Sequence, residues 1–216
     1  MMMNDLIGER TKVFIRQRKE WTEILVDWET KNQYDVLDEQ GQPLGTLAEK
    51  AGGWATLLRR GIFRSHRAFE VYAFDRNGRP ALQLRRPFFF LFSNLEVNQP
   101  DGQLVGRVKR RFGLLYRRYD LLDATGHCFA RIAGPLWRIW TFRVEASDGG
   151  RRATIAKKWS GGLGEIFTDT DTFLINLEHP LWRPDERGVI FSAAISIDFD
   201  FFENNQGSRG ILRWRD

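Results

Sequence analysis

Ala193-Ala194-Ile195-Ser196-Ile197-Asp198-Phe199-Asp200-Phe201-Phe202-Glu203 is the stretch on which the fold turns. Its second half alternates. Ile195, Ile197, Phe199 and Phe201 are apolar, and Ser196, Asp198 and Asp200 between them are polar, the pattern of a half-buried strand. The run that leads into it, Gly188 to Ile197, is apolar on every side and carries the small pair Ala193-Ala194, which suits a buried helix. Periodicity leaves both readings open.

Upstream of this stretch the chain is punctuated by turns. Asp38-Glu39-Gln40-Gly41, Asp75-Arg76-Asn77-Gly78 and Asp123-Ala124-Thr125-Gly126 share the form D-x-x-G, and Gln99-Pro100-Asp101-Gly102 and Asp148-Gly149-Gly150 are close variants. The Asp side chain bonds back onto its own turn, and glycine supplies the positive φ of a tight hairpin. Between the turns lie short runs rich in β-branched and aromatic residues, such as Ala68 to Phe74 and Ile139 to Val144. That is the pattern of successive hairpins. Gly78, Gly102, Gly126 and Gly150 are each 24 residues apart, room for two strands and their connections. A looser repeat of 48 links Arg86-Pro87-Phe88 to Gly134-Pro135-Leu136. Each unit runs through an aromatic strand and a Gly turn to a basic strand, Val108-Lys109-Arg110-Arg111-Phe112 in the first and Ile155-Ala156-Lys157-Lys158-Trp159 in the second. The units are few and their flanks differ, so the repeat predicts an antiparallel meander closing into a barrel or sandwich, not a solenoid. Val13 to Gln17 reads as a further strand. Trp21, Ile24, Leu25 and Trp28 share one helical face, which reads either as a membrane-surface helix or, preferred here, as a short helix packed on the barrel.

A chain of 216 residues, 42% hydrophobic, buries one sizeable core. The net charge of +5 gathers in Arg85-Arg86, Arg107 to Arg111, Arg117-Arg118, Arg151-Arg152 and Lys157-Lys158. A basic face attracts anionic headgroups, nucleic acid or acidic proteins, against the plainer reading of solvated strand faces. The single cysteine, Cys128, excludes an intramolecular disulfide and is expected as a small buried hydrophobe. Met1 to Arg10 lacks the apolar core of a signal peptide, and no run approaches the roughly 20 apolar residues of a membrane-spanning helix. The expected location is cytoplasmic, peripheral to a membrane.

Residues quoted so far, with a few more, resemble one family. Lys157-Lys158-Trp159-Ser160-Gly161 followed by Glu165-Ile166-Phe167-Thr168-Asp169-Thr170-Asp171-Thr172-Phe173 resembles the K-x-W-[ST]-G and E-x-F-T-D-x-D-x-F signature of phospholipid scramblases. Ile197-Asp198-Phe199-Asp200-Phe201-Phe202-Glu203 is similar to that family's closing I-D-F-x-F-F-E, and Trp28-Glu29-Thr30-Lys31-Asn32-Gln33-Tyr34 to its F-E-T-x-N-x-Y. Arg86-Pro87-Phe88 and Gly134-Pro135 fall where the pattern places them. The resemblance runs in order from about residue 12 to 203. It implies the mainly β fold of the Tubby C-terminal domain, shared with LURP-one-like proteins: a closed antiparallel barrel of about twelve strands around a central hydrophobic helix. That helix is then Arg187 to Phe202, against the local alternation, with Asp198, Asp200 and Glu203 toward the barrel mouth. One domain, 12–203, is expected, with 1–11 and 204–216 as short flexible ends. A closed barrel of this strand number has an interior that needs filling, and a helix apolar all round fills it.

The resemblance also implies an activity, phospholipid scrambling or anionic-lipid binding at a membrane surface. Lys109, Arg110, Arg111, Lys157, Lys158 and Trp159 are the expected headgroup contacts. The alternative is a nucleic-acid- or protein-binding regulatory barrel without lipid transport. Two features of eukaryotic scramblases, a Pro-rich extension and an acylated Cys cluster, are missing from this sequence. The family's calcium segment begins at Asp169 and includes Asp171, but the position where it should close on an acidic residue is Pro180. Calcium takes six to eight oxygen ligands, which these two carboxylates do not supply, and Asp169 as a turn or cap residue is the competing reading. His66, His127 and His179 are scattered, there is no G-x-S-x-G elbow, and Gly161-Gly162-Leu163-Gly164 lacks the Lys and Ser/Thr of a phosphate loop. Enzymatic catalysis is not expected.

Overall fold

A computed structural model describes residues 6–18, 30–50, 68–135, 137, 140–158, 172–178 and 181–201. Its strands are β1 (Lys12–Gln17), β2 (Thr30–Leu37), β3 (Pro43–Lys50), β4 (Phe69–Asp75), β5 (Pro80–Arg86), β6 (Asn94–Asn98), β7 (Leu104–Arg111), β8 (Tyr116–Asp123), β9 (Cys128–Pro135), β10 (Thr141–Ala146), β11 (Arg152–Lys158) and β12 (Thr172–Asn176). Each pairs antiparallel with its neighbours in sequence, and β1 pairs with β12, so the sheet closes without an edge. The hairpin turns form as their residues dictate. Asp38, Asp75 and Asp123 each accept two backbone N–H bonds on Oδ1, and Gly41, Gly78, Gly102 and Gly126 take positive φ. In the fifth turn the positive φ falls on Gly149, one residue before the glycine that keeps the 24-residue spacing.

The ambiguous tail is a helix, α1 (Pro184–Phe201), and it fills the barrel. Its start obeys local rules. Pro184 occupies the first helical position, where its missing N–H costs nothing. The Glu186 carboxylate reaches back to accept the Arg183 backbone N–H at 2.8 Å, half of a capping box. Every residue from Glu186 to Asp200 is buried. The tail's alternation therefore does not mark an outside face: Ser192, Ser196, Asp198 and Asp200 are buried along with Ile195 and Phe199. Ser192 satisfies itself by donating to the Gly188 carbonyl at 2.7 Å.

The wall makes room for α1 and for the N-terminal turn where it carries glycine. A Cβ on Gly106 would meet the Leu122 carbonyl and the Val189 side chain, and one on Gly45 would meet the Phe74 carbonyl and Leu6. Leu6 and Ile7 lie in the stretch expected to be a flexible end, yet both are buried in the core. The gap at Gly45 accounts for it, because Leu6 packs where that residue has no side chain. Cys128, expected as a small buried hydrophobe, is half-buried, its thiol 3.4 Å from the Ala130 carbonyl. The one-sided face of Trp21, Ile24, Leu25 and Trp28, and the tail 204–216, lie outside the described residues.

Candidate functional site

β-strands place successive side chains on opposite faces, so the basic runs of β5, β7 and β8 are divided between wall and bore. Arg85 is exposed and Arg86 buried; Lys109 and Arg111 are exposed while Arg110 turns inward; Arg118 is exposed while Arg117 turns inward. The inward members converge on the last turns of α1. Asp200 accepts from Arg86 Nη1 and Ser93 Oγ, both at 2.8 Å, and from the Tyr119 hydroxyl at 2.9 Å, with Arg110 Nη1 at 4.0 Å. Asp198 accepts from the Tyr34 hydroxyl at 2.8 Å and lies 3.4 Å from Lys157 Nζ. The Arg86 side chain, 0% exposed, also lies over the rings of Phe69 (4.3 Å), Phe89 (5.1 Å) and Phe199 (5.8 Å). Arg117 lies 4.4 Å over Phe201, and Arg110 4.8 Å over it.

This arrangement answers an electrostatic problem of the helix. A helix C-terminus carries partial negative charge, and α1 adds two carboxylates there with no basic residue in its last turn. The barrel wall supplies the cations instead. Burial, and then the Asp200 carboxylate, pushes the Tyr119 hydroxyl well above its ordinary pKa, which keeps its donated proton in place. Burial lowers the Arg117 guanidinium, with Arg110 beside it acting in the same direction. The cluster locks α1 inside the bore.

Above the cluster, the connections after β5, β7 and β9 leave the barrel at the end where α1 terminates. They are apolar at their tips: Phe90, Leu91 and Leu114 are 78% exposed, Phe112 is 73% and Trp137 66% exposed. The opposite end carries the polar D-x-x-G turns, and Leu181 is the one large exposed apolar residue there among those described. Beside the apolar rim, the outer wall of β7 to β10 holds a groove of about 840 Å³ that begins at Phe112, Tyr116 and Trp137 and continues between Arg111, Arg118, Arg131 and Arg143.

The expected headgroup contacts divide accordingly. Lys109 and Arg111 face outward, Arg111 paired with Asp120 at 2.7 Å. Arg110 is half-buried at the mouth. Lys157 is corrected outright: strand alternation sends it into the bore, to Asp198, where no headgroup on the outer wall meets it. The Lys158 side chain, Trp159, Asp169 and Asp171 lie outside the described residues. Among the described residues no group of three or more His, Cys, Asp or Glu is placed to hold a metal ion. Nor is any helix among them long and apolar enough to cross a membrane. Sequence reasoning missed the apolar loop tips and the arginine groove, although Phe88 to Phe92 directly after Arg86-Pro87 was a legible signal for the first.

Residues 2–204 match the Scramblase family. The chain belongs to it. A phospholipid scramblase family protein of Schizosaccharomyces pombe is 28% identical over 92% of this chain and 61% of its own length. Human phospholipid scramblase 2 is 29% identical over 94% of this chain and 71% of its own. The Saccharomyces cerevisiae protein named for altered inheritance rate of mitochondria is 25% identical over 95% and 74%. The scramblase-family chain thus spans about three-fifths of the S. pombe relative's length. A solved Arabidopsis thaliana structure aligns over 90% of this chain and 91% of its own, with 14% identity and a TM-score of 0.47.

Proposed function

We propose that this barrel binds the surface of anionic phospholipid membranes through the end at which α1 terminates. The observation that carries the reading is the exposed apolar rim, Phe90 and Leu91 on one loop, Phe112, Leu114 and Leu115 on the next, Trp137 on a third. Isolated exposed apolar residues are ordinary, but tips gathered at one end of a molecule whose other end is polar mark a contact surface. Lys109, Arg111 and Arg118 flank that rim on the outer wall. Basic residues near an anionic leaflet contribute about 1 kcal/mol each, and aromatic tips bury their apolar area at the headgroup boundary. Scrambling, the activity in the relatives' names, requires such contact first and is proposed on the strength of that kinship.

The test is co-sedimentation with vesicles of phosphatidylcholine alone and of phosphatidylcholine with phosphatidylserine. Binding to the anionic vesicles is expected, weakened by salt and lost in a Phe90→Ser/Leu91→Ser/Leu114→Ser variant that melts at the wild-type temperature. Equal failure with both vesicle types, or undiminished binding by that variant, sinks the reading. A dithionite assay on the same vesicles then separates binding from lipid movement.

A further inference from the structure

The strand register places an unbalanced row of charge in the outer groove. Arg111 stands opposite Arg118, Arg118 opposite Ala133, and Ala133 opposite Arg143, so one transverse row across β7 to β10 reads Arg, Arg, Ala, Arg. The row beneath it reads Lys109, Asp120, Arg131, Glu145 and is balanced. Like charges directly opposite on neighbouring strands are destabilising. Two carboxylates, Asp120 and Glu145, also line the groove, and Asp120 is taken up by Arg111 at 2.7 Å and shared with Arg131 at 3.7 Å. Among the described residues no ion pair joins Arg118 or Arg143. Ala133 contributes only a methyl group between those two arginines, which leaves a floor in the groove. On the rim side, Tyr116 and Trp137 form an edge-on pair with centroids 5.7 Å apart, and the Arg118 guanidinium lies 5.8 Å over the Tyr116 ring.

We propose that this groove is a binding site for one anionic phospholipid, its headgroup phosphate held over Ala133 by Arg118 and Arg143 with Arg111 alongside, and its glycerol and upper acyl carbons against Tyr116, Trp137 and Phe112. This rests on the membrane-surface reading and gives it a lipid-specific site. Guanidinium groups match phosphate oxygens in bidentate geometry, and the volume of about 840 Å³ is that of a small-molecule pocket. The groove is continuous with the apolar rim, so a lipid whose tails lie in the membrane reaches it without leaving the leaflet. A free phosphate would use the arginines but leave the aromatic wall idle.

Isothermal titration with dihexanoyl phosphatidic acid, kept below its aggregation concentration, tests the site without a membrane. Saturable binding is expected. Arg118→Gln, Arg143→Gln and the floor-filling Ala133→Phe should each weaken it at least tenfold. Arg79→Gln, at an exposed arginine in the turn between β4 and β5 and far from the groove, should change it less than twofold. No saturable binding, wild-type affinity in both Arg118→Gln and Arg143→Gln, or an equal loss in Arg79→Gln overturns the proposal. Inorganic phosphate binding as tightly as the lipid overturns the lipid assignment. The two readings fail separately: soluble-lipid binding without vesicle binding removes the rim reading and keeps the groove, and the reverse removes the groove alone.

Discussion

Asp200→Ala should be among the most destabilising single substitutions in this chain. The carboxylate is fully buried and accepts from Arg86, Ser93 and Tyr119, which come from β5, the connection to β6, and β8. Its removal takes away a carboxylate 2.8 Å from an Arg86 side chain that is 0% exposed. Removing one member of a buried pair costs about 3–5 kcal/mol, because the remaining charge stays desolvated. The faces of Phe69, Phe89 and Phe199 still attract the guanidinium, worth about 0.5–2 kcal/mol, which puts the expected loss nearer 3 kcal/mol. Against a typical total of about 5–15 kcal/mol, that is a large fraction. Urea unfolding followed by far-UV circular dichroism measures it. With a slope of about 2–3 kcal/mol per molar, the midpoint should fall by about 1 M or more. The double variant Arg86→Met/Asp200→Leu should cost less than the sum of its two single variants, since it removes both charges together, though the Ser93 and Tyr119 hydroxyls still lose their acceptor. A loss below about 1 kcal/mol for Asp200→Ala, or a double variant that costs the sum of the two single ones, would refute the argument that the pair is coupled.

Lys157→Ala removes the cation beside Asp198 and should cost about 3 kcal/mol, while Lys109→Ala, on the outer face of β7, should stay within about 0.5 kcal/mol in the same urea titration. Gly45→Ala drives a Cβ into the Phe74 carbonyl and Leu6, and should lower stability by about 1–3 kcal/mol without any change in vesicle binding. The Asp123 carboxyl is held below its ordinary pKa, first by the Thr125 hydroxyl, then by the backbone N–H groups of His127 and Thr125. A depressed folded-state pKa means the contribution is complete above the unfolded value of about 3.9 and fades as pH falls through the folded one. The melting-temperature gap between wild type and Asp123→Asn should therefore be constant near neutral pH and shrink below about pH 4; a gap that widens in acid contradicts this sign.

The barrel was legible in the sequence because its signals are local. Each D-x-x-G turn fixes a hairpin by its own backbone bonding, and a spacing of 24 residues leaves only enough chain for two strands. The helix was not legible from periodicity, because Asp198 and Asp200 have polar partners supplied by strands far away in sequence. Tyr34 and Arg86 lie more than a hundred residues upstream. Resemblance to the scramblase family supplied the helix instead. Its start was within reach: Pro184-Asp185-Glu186 is a helix N-terminus in residue type alone, and it was placed at Arg187. The basic doublets carry the sharper lesson. Read as surface charge they overcount, since a period of two sends Arg86, Arg110, Arg117 and Lys157 inward. Applied at the outset, that rule would have separated Arg110 and Lys157 from Lys109 and Arg111. The three-arginine row was beyond reach, because it depends on the register of four strands.

The filled bore decides where lipid can meet this fold. Val189, Ile190, Phe191, Ile195, Ile197 and Phe199 are all buried, and each large apolar side chain returned to water costs about 1.5–3 kcal/mol. Withdrawing α1 would add two broken buried ion pairs, Arg86 with Asp200 and Lys157 with Asp198. The total exceeds the roughly 5–15 kcal/mol that holds a typical domain together, so extracting the helix is the same event as unfolding the barrel. A headgroup therefore has no route along the axis that α1 occupies. Among the described residues, the surfaces left for the proposed lipid contact are the apolar rim and the outer wall, where the groove over Ala133 lies.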